Sequence, residues 1–515
     1  MKKALFSILP MLVLTFHFCK QENPLQADVE KAMLEATRFM VEEISTQGGY
    51  LWYYLPDLSR RWGEMEACAS MIWLQHPGTV SMGHTFLDAY HATGDEYYYT
   101  AAEKASSAVV KGQQPEGGWN YMVDFAGEAS LIQWYHTIGR NGWRLEEFQH
   151  YYGNSTFDDN VTANAARFLL RIHLEKRDPA AGEALEKAIG FIRDSQFPEG
   201  SWPQRYPLNQ DFIQNGKLDY SSYHTFNDNV IWENIRFLVQ CHRYLPEEDH
   251  LDAISRGMDF YLISQHPSGG WAQQYDWDLN PADARTYEPL ALLPGTTYRN
   301  TMQLLRFFEL TGDPKYLEPI PKALVWLEQV RLPEPSTAGG RFTHPTFVDP
   351  ASQKAIYVHR KGSNAIYGYY YHDDRDTLLL SHYAGKTRLD LGELEKQFDS
   401  LHTFAPPATA GEFFADDHFL FDLDDHQGPV PDEAEVRRIL AELDGQGRWM
   451  GTGAMISNPY IGDGKRKEAT DQYASIHVGD LTDTSPYRDT TGQAYISTGL
   501  YIQNMRLLVN YLNQY

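Results

Sequence analysis

The chain has 515 residues and a formal net charge of −25, with 69 Asp and Glu against 44 Lys and Arg. Such an acidic balance excludes nucleic acid as a partner held by a general basic surface. It also repels a polyanion at long range, so an acidic ligand needs a local cluster of Arg, Lys or a bound cation.

Residues 1–19 open with Lys2 and Lys3 and run apolar from Ala4 to Phe18. That pattern predicts a secretory signal, too short for a membrane span. Cys19 ends the run where a bacterial lipoprotein carries its acylated cysteine, though behind a bulky Phe18. The expectation is an exported protein: periplasmic, an outer-membrane lipoprotein or secreted, with no transmembrane span in the mature chain. Cys68 and Cys241 are either a disulfide or two free thiols.

From residue 26 to 515 the chain reads as one catalytic domain built on a repeat: amphipathic helix, Gly-Gly-aromatic turn, second helix. The turns are Gly48-Gly49-Tyr50, Gly117-Gly118-Trp119, Gly200-Ser201-Trp202, Gly269-Gly270-Trp271, Gly339-Gly340-Arg341 and Gly447-Arg448-Trp449. The helices before them carry a single apolar stripe, as in Val29, Met33, Ala36 and Met40, or Leu185, Ala188, Ile189 and Ile192. Those after them are more apolar all round, as in Ala165-Ala166-Arg167-Phe168-Leu169-Leu170. Striped outer and apolar inner helices bury their faces only in a closed or stacked ring, which predicts an all-α fold, an α/α toroid with up to six hairpins or an incomplete one. The Pro-, Asp- and Phe-rich stretch at 403–432 is expected to be a long loop.

A ring of this kind brings the turns to one end, where polar groups gather. Trp202, Gln204 and Tyr206 follow the third turn, and Trp271, Gln273 and Gln274 the fourth. Two inner helices open alike, with Thr156-Phe157-Asp158-Asp159-Asn160 and Thr225-Phe226-Asn227-Asp228-Asn229. Asp and Asn there serve as helix caps, as oxygen ligands for Ca²⁺, or as the acid and base of a glycosidase. Spacing alone leaves all three open. Arg285 and Arg341 stand out as cations able to fork onto a uronate carboxylate. His224, His344 and His359 fall nearby in motif order, and a lone His is usually a polar core or surface residue.

In order along residues 110–365, these elements resemble those of the pectic acid lyases, polysaccharide lyase family ten. They are Gly117-Gly118-Trp119, Thr156-Phe157-Asp158, Trp202-Pro203-Gln204-Arg205-Tyr206, His224-Thr225-Phe226-Asn227-Asp228, Trp271-Ala272-Gln273-Gln274-Tyr275, Ala284-Arg285-Thr286-Tyr287-Glu288 and Arg341-Phe342. The resemblance implies cleavage of pectate or a related polyuronate by calcium-assisted β-elimination. Asp158 and Asp228 match the family's acidic Ca²⁺ positions, Arg341 its arginine base and Arg285 a substrate-carboxylate arginine. Asp159, Trp202, Gln204, Tyr206, His224, Trp271, Tyr287 and His344 are then expected to line the substrate. Asp159 stands where the family usually has Asn, and residues 343–360 match poorly. Two other readings remain: a hydrolase of uronic-acid oligosaccharides using Asp158, Asp159 and Asp228, and a non-catalytic glycan-binding lipoprotein.

Overall fold

The structure, a computed structural model, describes residues 24–142, 146–209, 213–214, 217–245, 250–333, 342–361, 369–380, 384–401, 428–461 and 483–514. Residues 1–23 with Cys19, the expected fifth turn with Arg341 and most of the 403–432 stretch lie outside the described residues.

Helices take up the predicted alternation. In chain order they are α1 (Pro24–Phe39), α2 (Thr79–Thr93), α3 (Glu96–Lys111), α4 (Glu128–Thr137), α5 (Glu146–Gln149), α6 (Val161–Lys176), α7 (Pro179–Asp194), α8 (Val230–Tyr244), α9 (Leu251–Ile263), α10 (Pro294–Thr311), α11 (Ile320–Gln329), α12 (Leu391–Leu401), α13 (Glu433–Glu442) and α14 (Thr498–Leu512). The hairpin pairs α2–α3, α6–α7, α8–α9 and α10–α11 pack side by side. The first members form an inner row, with α14 against α2, α2 against α6 and α6 against α8, while α12 packs on α10 and α11. Polar N-caps start several of the outer helices: Asp95, Asp178 and Asp432 each accept a backbone N–H of the first turn. The molecule is an α/α toroid.

One turn geometry, used five times, sets the pitch of the ring. At Gly117 and Gly269 φ is +114°, a value that L side chains rarely adopt. A Cβ on Gly48, Gly117, Gly200, Gly269 or Gly447 would meet the carbonyl oxygen of Lys104, Lys187, Arg256, Lys322 or Glu35, each on the next outer helix, at 2.0–2.9 Å. The aromatic that follows is an internal strut. The indoles of Trp119, Trp202, Trp271 and Trp449 donate to the carbonyls of Val109, Ile192, Tyr261 and Ile439, each ten residues earlier, at 2.7–3.1 Å.

Short antiparallel ladders stitch successive repeats. Ser155 and Thr156 pair with Tyr206 and Arg205, and His224 and Thr225 with Tyr275 and Gln274. The same device closes the ring, since Tyr53 and Tyr54 pair with Ser497 and Ile496. Thr37 and Tyr501 share a buried 2.6 Å hydrogen bond across that seam.

Among the described residues, the helical alternation gives way to a sheet between α11 and α12. Residues 347–348, 355–361 and 369–373 form a three-stranded antiparallel sheet, in the segment where the motif match weakens. Its run Tyr369-Tyr370-Tyr371 has the strand preference of aromatic residues. Cys68 and Cys241 are free thiols, one exposed and one buried, so they do not pair. No helix among the described residues is long and apolar enough to cross a membrane.

Candidate active site

The two matched openings, of α6 and α8, fold alike and pack against each other at one end of the ring. Each makes a tight turn in which two residues in succession take left-handed angles. Asp159 and Asp228 both have φ 48°, and Asn160 and Asn229 both have φ 60°. Asp and Asn tolerate this region better than other side chains, yet such strain costs about 1–3 kcal/mol per residue and clusters at functional sites. The equivalence pairs Asp228 with Asp159; Asp158 corresponds to Asn227. Asp159 and Asp228 are half-buried, whereas Asp158 lies fully buried beneath them.

Asp158 is the floor of the site. Its Oδ2 accepts from Arg285 Nη2 at 2.7 Å and from the Tyr121 hydroxyl at 2.6 Å. Burial pushes its pKa up, but the Arg285 guanidinium and donation from Asp228 and Tyr121 outweigh that and hold it below the usual value. Asp159 accepts from Gln75 Nε2 at 2.7 Å, and Asp228 from Asn227 Nδ2 at 2.6 Å. Burial drives both carboxyls well above the ordinary range; the charge of Asp158 adds to it for each, joined by Glu64 for Asp159 and by Asp159 for Asp228. The cluster therefore sets one stably ionised carboxylate beside two that resist ionisation.

Arg285 neutralises this floor from inside the protein. Its three guanidinium nitrogens reach Glu147 at 3.2 Å, Glu288 at 3.2 Å and Asp158 at 2.7 Å. The expectation that it presents an open fork to substrate is corrected: it is buried among protein carboxylates. Glu147 and its neighbour Glu146 come from the single turn α5. Glu146 accepts from the Thr286 backbone N–H at 3.0 Å and from the Thr286 hydroxyl, and burial raises its pKa to about 7. A second buried guanidinium, that of Arg205, lies 4.4 Å from the Tyr152 ring centre and 5.4 Å from that of Tyr121.

Several residues expected at the substrate face are structural. Trp202 and Trp271 are 0% exposed, with their indoles spent on helix carbonyls, so neither offers a face to a sugar. His224 is buried between Phe197 and Phe260, shares a 2.5 Å hydrogen bond with Ser201, and has its pKa lowered by burial to about 4. His344 is buried against the Leu327 carbonyl and the Thr343 hydroxyl. His359 is buried beside Asp373. Tyr287 packs on Tyr370 in a small separate core. Gln204 is buried, its backbone carbonyl accepting from Phe157 N at 2.8 Å, but its side chain hydrogen-bonds Asp158 and so belongs to the aspartate cluster. Tyr206 is half-buried, its ring 5.7 Å from Phe191. The structure thus brings Asp158, Asp159, Asp228, Gln204 and Arg285 together, and adds Tyr121, Glu146, Glu147, Arg205 and Glu288.

Among the described residues, no three His, Cys, Asp or Glu side chains are preset around a common metal position. The donors nonetheless fit a hard cation in kind. Asn160 Oδ1 is a buried oxygen with no hydrogen-bond donor. A cation would relieve the crowding that keeps Asp159 and Asp228 from ionising.

No curated protein matches the chain. Among solved structures, a variant of the family 10 polysaccharide lyase from Cellvibrio cellulosa, in complex with trigalacturonic acid, shares 16% identity over 64% of this chain and 96% of its own, with a TM-score of 0.36. Cellobiose 2-epimerase from Spirochaeta thermophila shares 12% over 96% of this chain and 99% of its own, at 0.41. A sugar epimerase from a ruminal bacterium shares 12% over 95% and 99%, also at 0.41. The family model described as pectic acid lyase matches residues 135–400, a span that holds both aspartate turns, Arg205, Arg285 and the glutamates around it. On that match, covering half of the sequence, the chain belongs to the pectic acid lyase family.

Proposed function

We propose that this polysaccharide lyase cleaves polygalacturonate or a closely related polyuronate by β-elimination, with calcium as the resident cation. The observation that carries the reading is the buried Arg285–Asp158 pair beneath two carboxyls, Asp159 and Asp228, that are short of positive charge. Asp158, Asp159, Asp228 and the Asn160 amide oxygen would hold the cation, leaving positions for water and a uronate carboxylate. When bound, calcium withdraws charge from that carboxylate and so acidifies the adjacent C5–H.

The protein's own groups set up the rest. Elimination breaks C5–H and the C4–O glycosidic bond and forms a C4=C5 double bond, with negative charge building on the carboxylate in the transition state. Arg285, held protonated by its three carboxylates, lends positive potential from below without leaving its place. Tyr121 fixes Asp158 as an acceptor, so that carboxylate stays ionised through the reaction. The proton from C5 passes to the neutral guanidine of Arg341, the base position by family resemblance, and the departing oxygen takes its proton from solvent water.

The test is formation of an ultraviolet-absorbing unsaturated product from polygalacturonate. Activity is expected to fall on chelation and return with Ca²⁺, and Asp228→Asn to lower turnover about a hundredfold. Sugars released without a double bond, by an enzyme indifferent to chelator, would transfer the site to hydrolysis.

A further inference from the structure

The toroid has a hole along its axis, and the hole is not inert. A cavity of about 440 Å³, within the size range of small-ligand sites, lies between α2, α6, α8 and α14. Asn160, at the head of α6, is both a wall of this cavity and a member of the aspartate turn. Arg167 lies seven residues further along α6, about 10 Å deeper at 1.5 Å per residue. Arg236 on α8 and Arg506 on α14 face the same space.

In a chain with a net charge of −25, this is a local reversal of sign. The wall holds three arginines, Arg167, Arg236 and Arg506, against two carboxylates, Asp88, which pairs with Arg171, and Glu233, 3.7 Å from Arg236. His84, also in the wall, registers the field: burial and then the charges of Arg171, Arg167 and Arg236 press its pKa well below normal. The cavity is also not wholly a property of the family. His84 on α2 and Arg506 on α14 fall outside residues 135–400, so two of the four walls come from parts of the chain beyond the family match.

We infer that the axial cavity is an anionic-sugar subsite, taking the carboxylate of a uronate unit at one end of an oligouronate whose neighbouring unit lies at the aspartate turns. This rests on the lyase reading for the identity of the ligand, and on the cavity's own charge for the binding.

Calorimetric titration of the full chain with digalacturonate, and with the uncharged disaccharide of galactose, tests it. Wild type is expected to bind digalacturonate. Arg506→Glu, a change at an exposed position, and Ser81→Glu, which adds a carboxylate to the neighbouring α2 wall, should each weaken binding about tenfold or more. Arg506→Lys should keep most of the affinity, and the uncharged disaccharide should not distinguish the variants. Equal affinities in wild type and both glutamate variants, or no binding of digalacturonate to wild type, would overturn the inference. Turnover separates the two ideas: a wild type that yields no unsaturated product refutes the lyase reading, while the titration still decides the cavity.

Discussion

Arg285 shows how much a single buried cation organises. Each of its nitrogens serves a different carboxylate, and removing one partner leaves charge stranded in the interior. Asp158→Ala is therefore expected to destabilise the fold by about 3–5 kcal/mol, read as a lower denaturation midpoint, as well as to abolish turnover. Glu146 gives a pH signature. Its folded pKa of about 7 stands above the ordinary 4.5, so the stability it lends is whole below about 4.5 and drains away as the pH rises through 7. The effect is up to about 3 kcal/mol. Glu146→Gln should flatten the dependence of melting temperature on pH between those values; an unchanged slope would show that Glu146 is not its source. Asp158, Asp228 and Arg285 were legible in the sequence because they sit in a motif that recurs or matches a family. Glu147, 138 residues from Arg285, carries no such signal. Trp202, Trp271, His224 and His344 were read as sugar contacts because an indole or imidazole near a motif looks the same whether it faces solvent or a helix carbonyl.

At the scale of the element, the Gly-Gly-aromatic turn is a joint whose three parts have separate duties. The first glycine lets the backbone touch the next outer helix, the aromatic carbonyl receives the strand before the next inner helix, and the indole ties back to its own helix. Thr156 N, Thr225 N and Leu293 N donate to the carbonyls of Trp119, Trp202 and Trp271 at 2.8–3.0 Å. Trp202→Phe should cost the indole hydrogen bond, about 1 kcal/mol, plus some packing, and leave KM for polygalacturonate unchanged. A large rise in KM would restore Trp202 to the substrate face. Helix positions were readable because the 3.6-residue period and the Pro and Gly stops agree on them. The sheet at residues 347–373 was not, since short apolar runs do not distinguish strand from buried helix and its pairing depends on partners up to sixteen residues away in sequence.

The whole molecule depends on one seam. α14 packs against α1 and α2, and the turn after α13 docks on α1 through Gly447 and Glu35. Tyr501 sits within it, against Phe86 and Trp449, at 6.3 and 6.0 Å between ring centres. A chain ending at Gln493, lacking the 495–497 strand and α14, should lose cooperative thermal unfolding and all activity. Retention of a single sharp transition would mean the ring does not need closure. The sequence announced a ring through its repeat, but which end-to-end contact shuts it depends on pairing that no local pattern encodes.

That seam also fixes when the protein can mature. Thr498 donates its hydroxyl hydrogen to the Leu51 carbonyl, 447 residues upstream, so the segment leading into the first hairpin is completed only once residue 498 has been synthesised. Until then the flank of α2 that meets α14 has no mate, and the growing polypeptide presents an apolar surface there. Folding held back until α14 is present would spare it that exposure, and a chain stalled on the ribosome before residue 498 should aggregate more readily than one that has passed it.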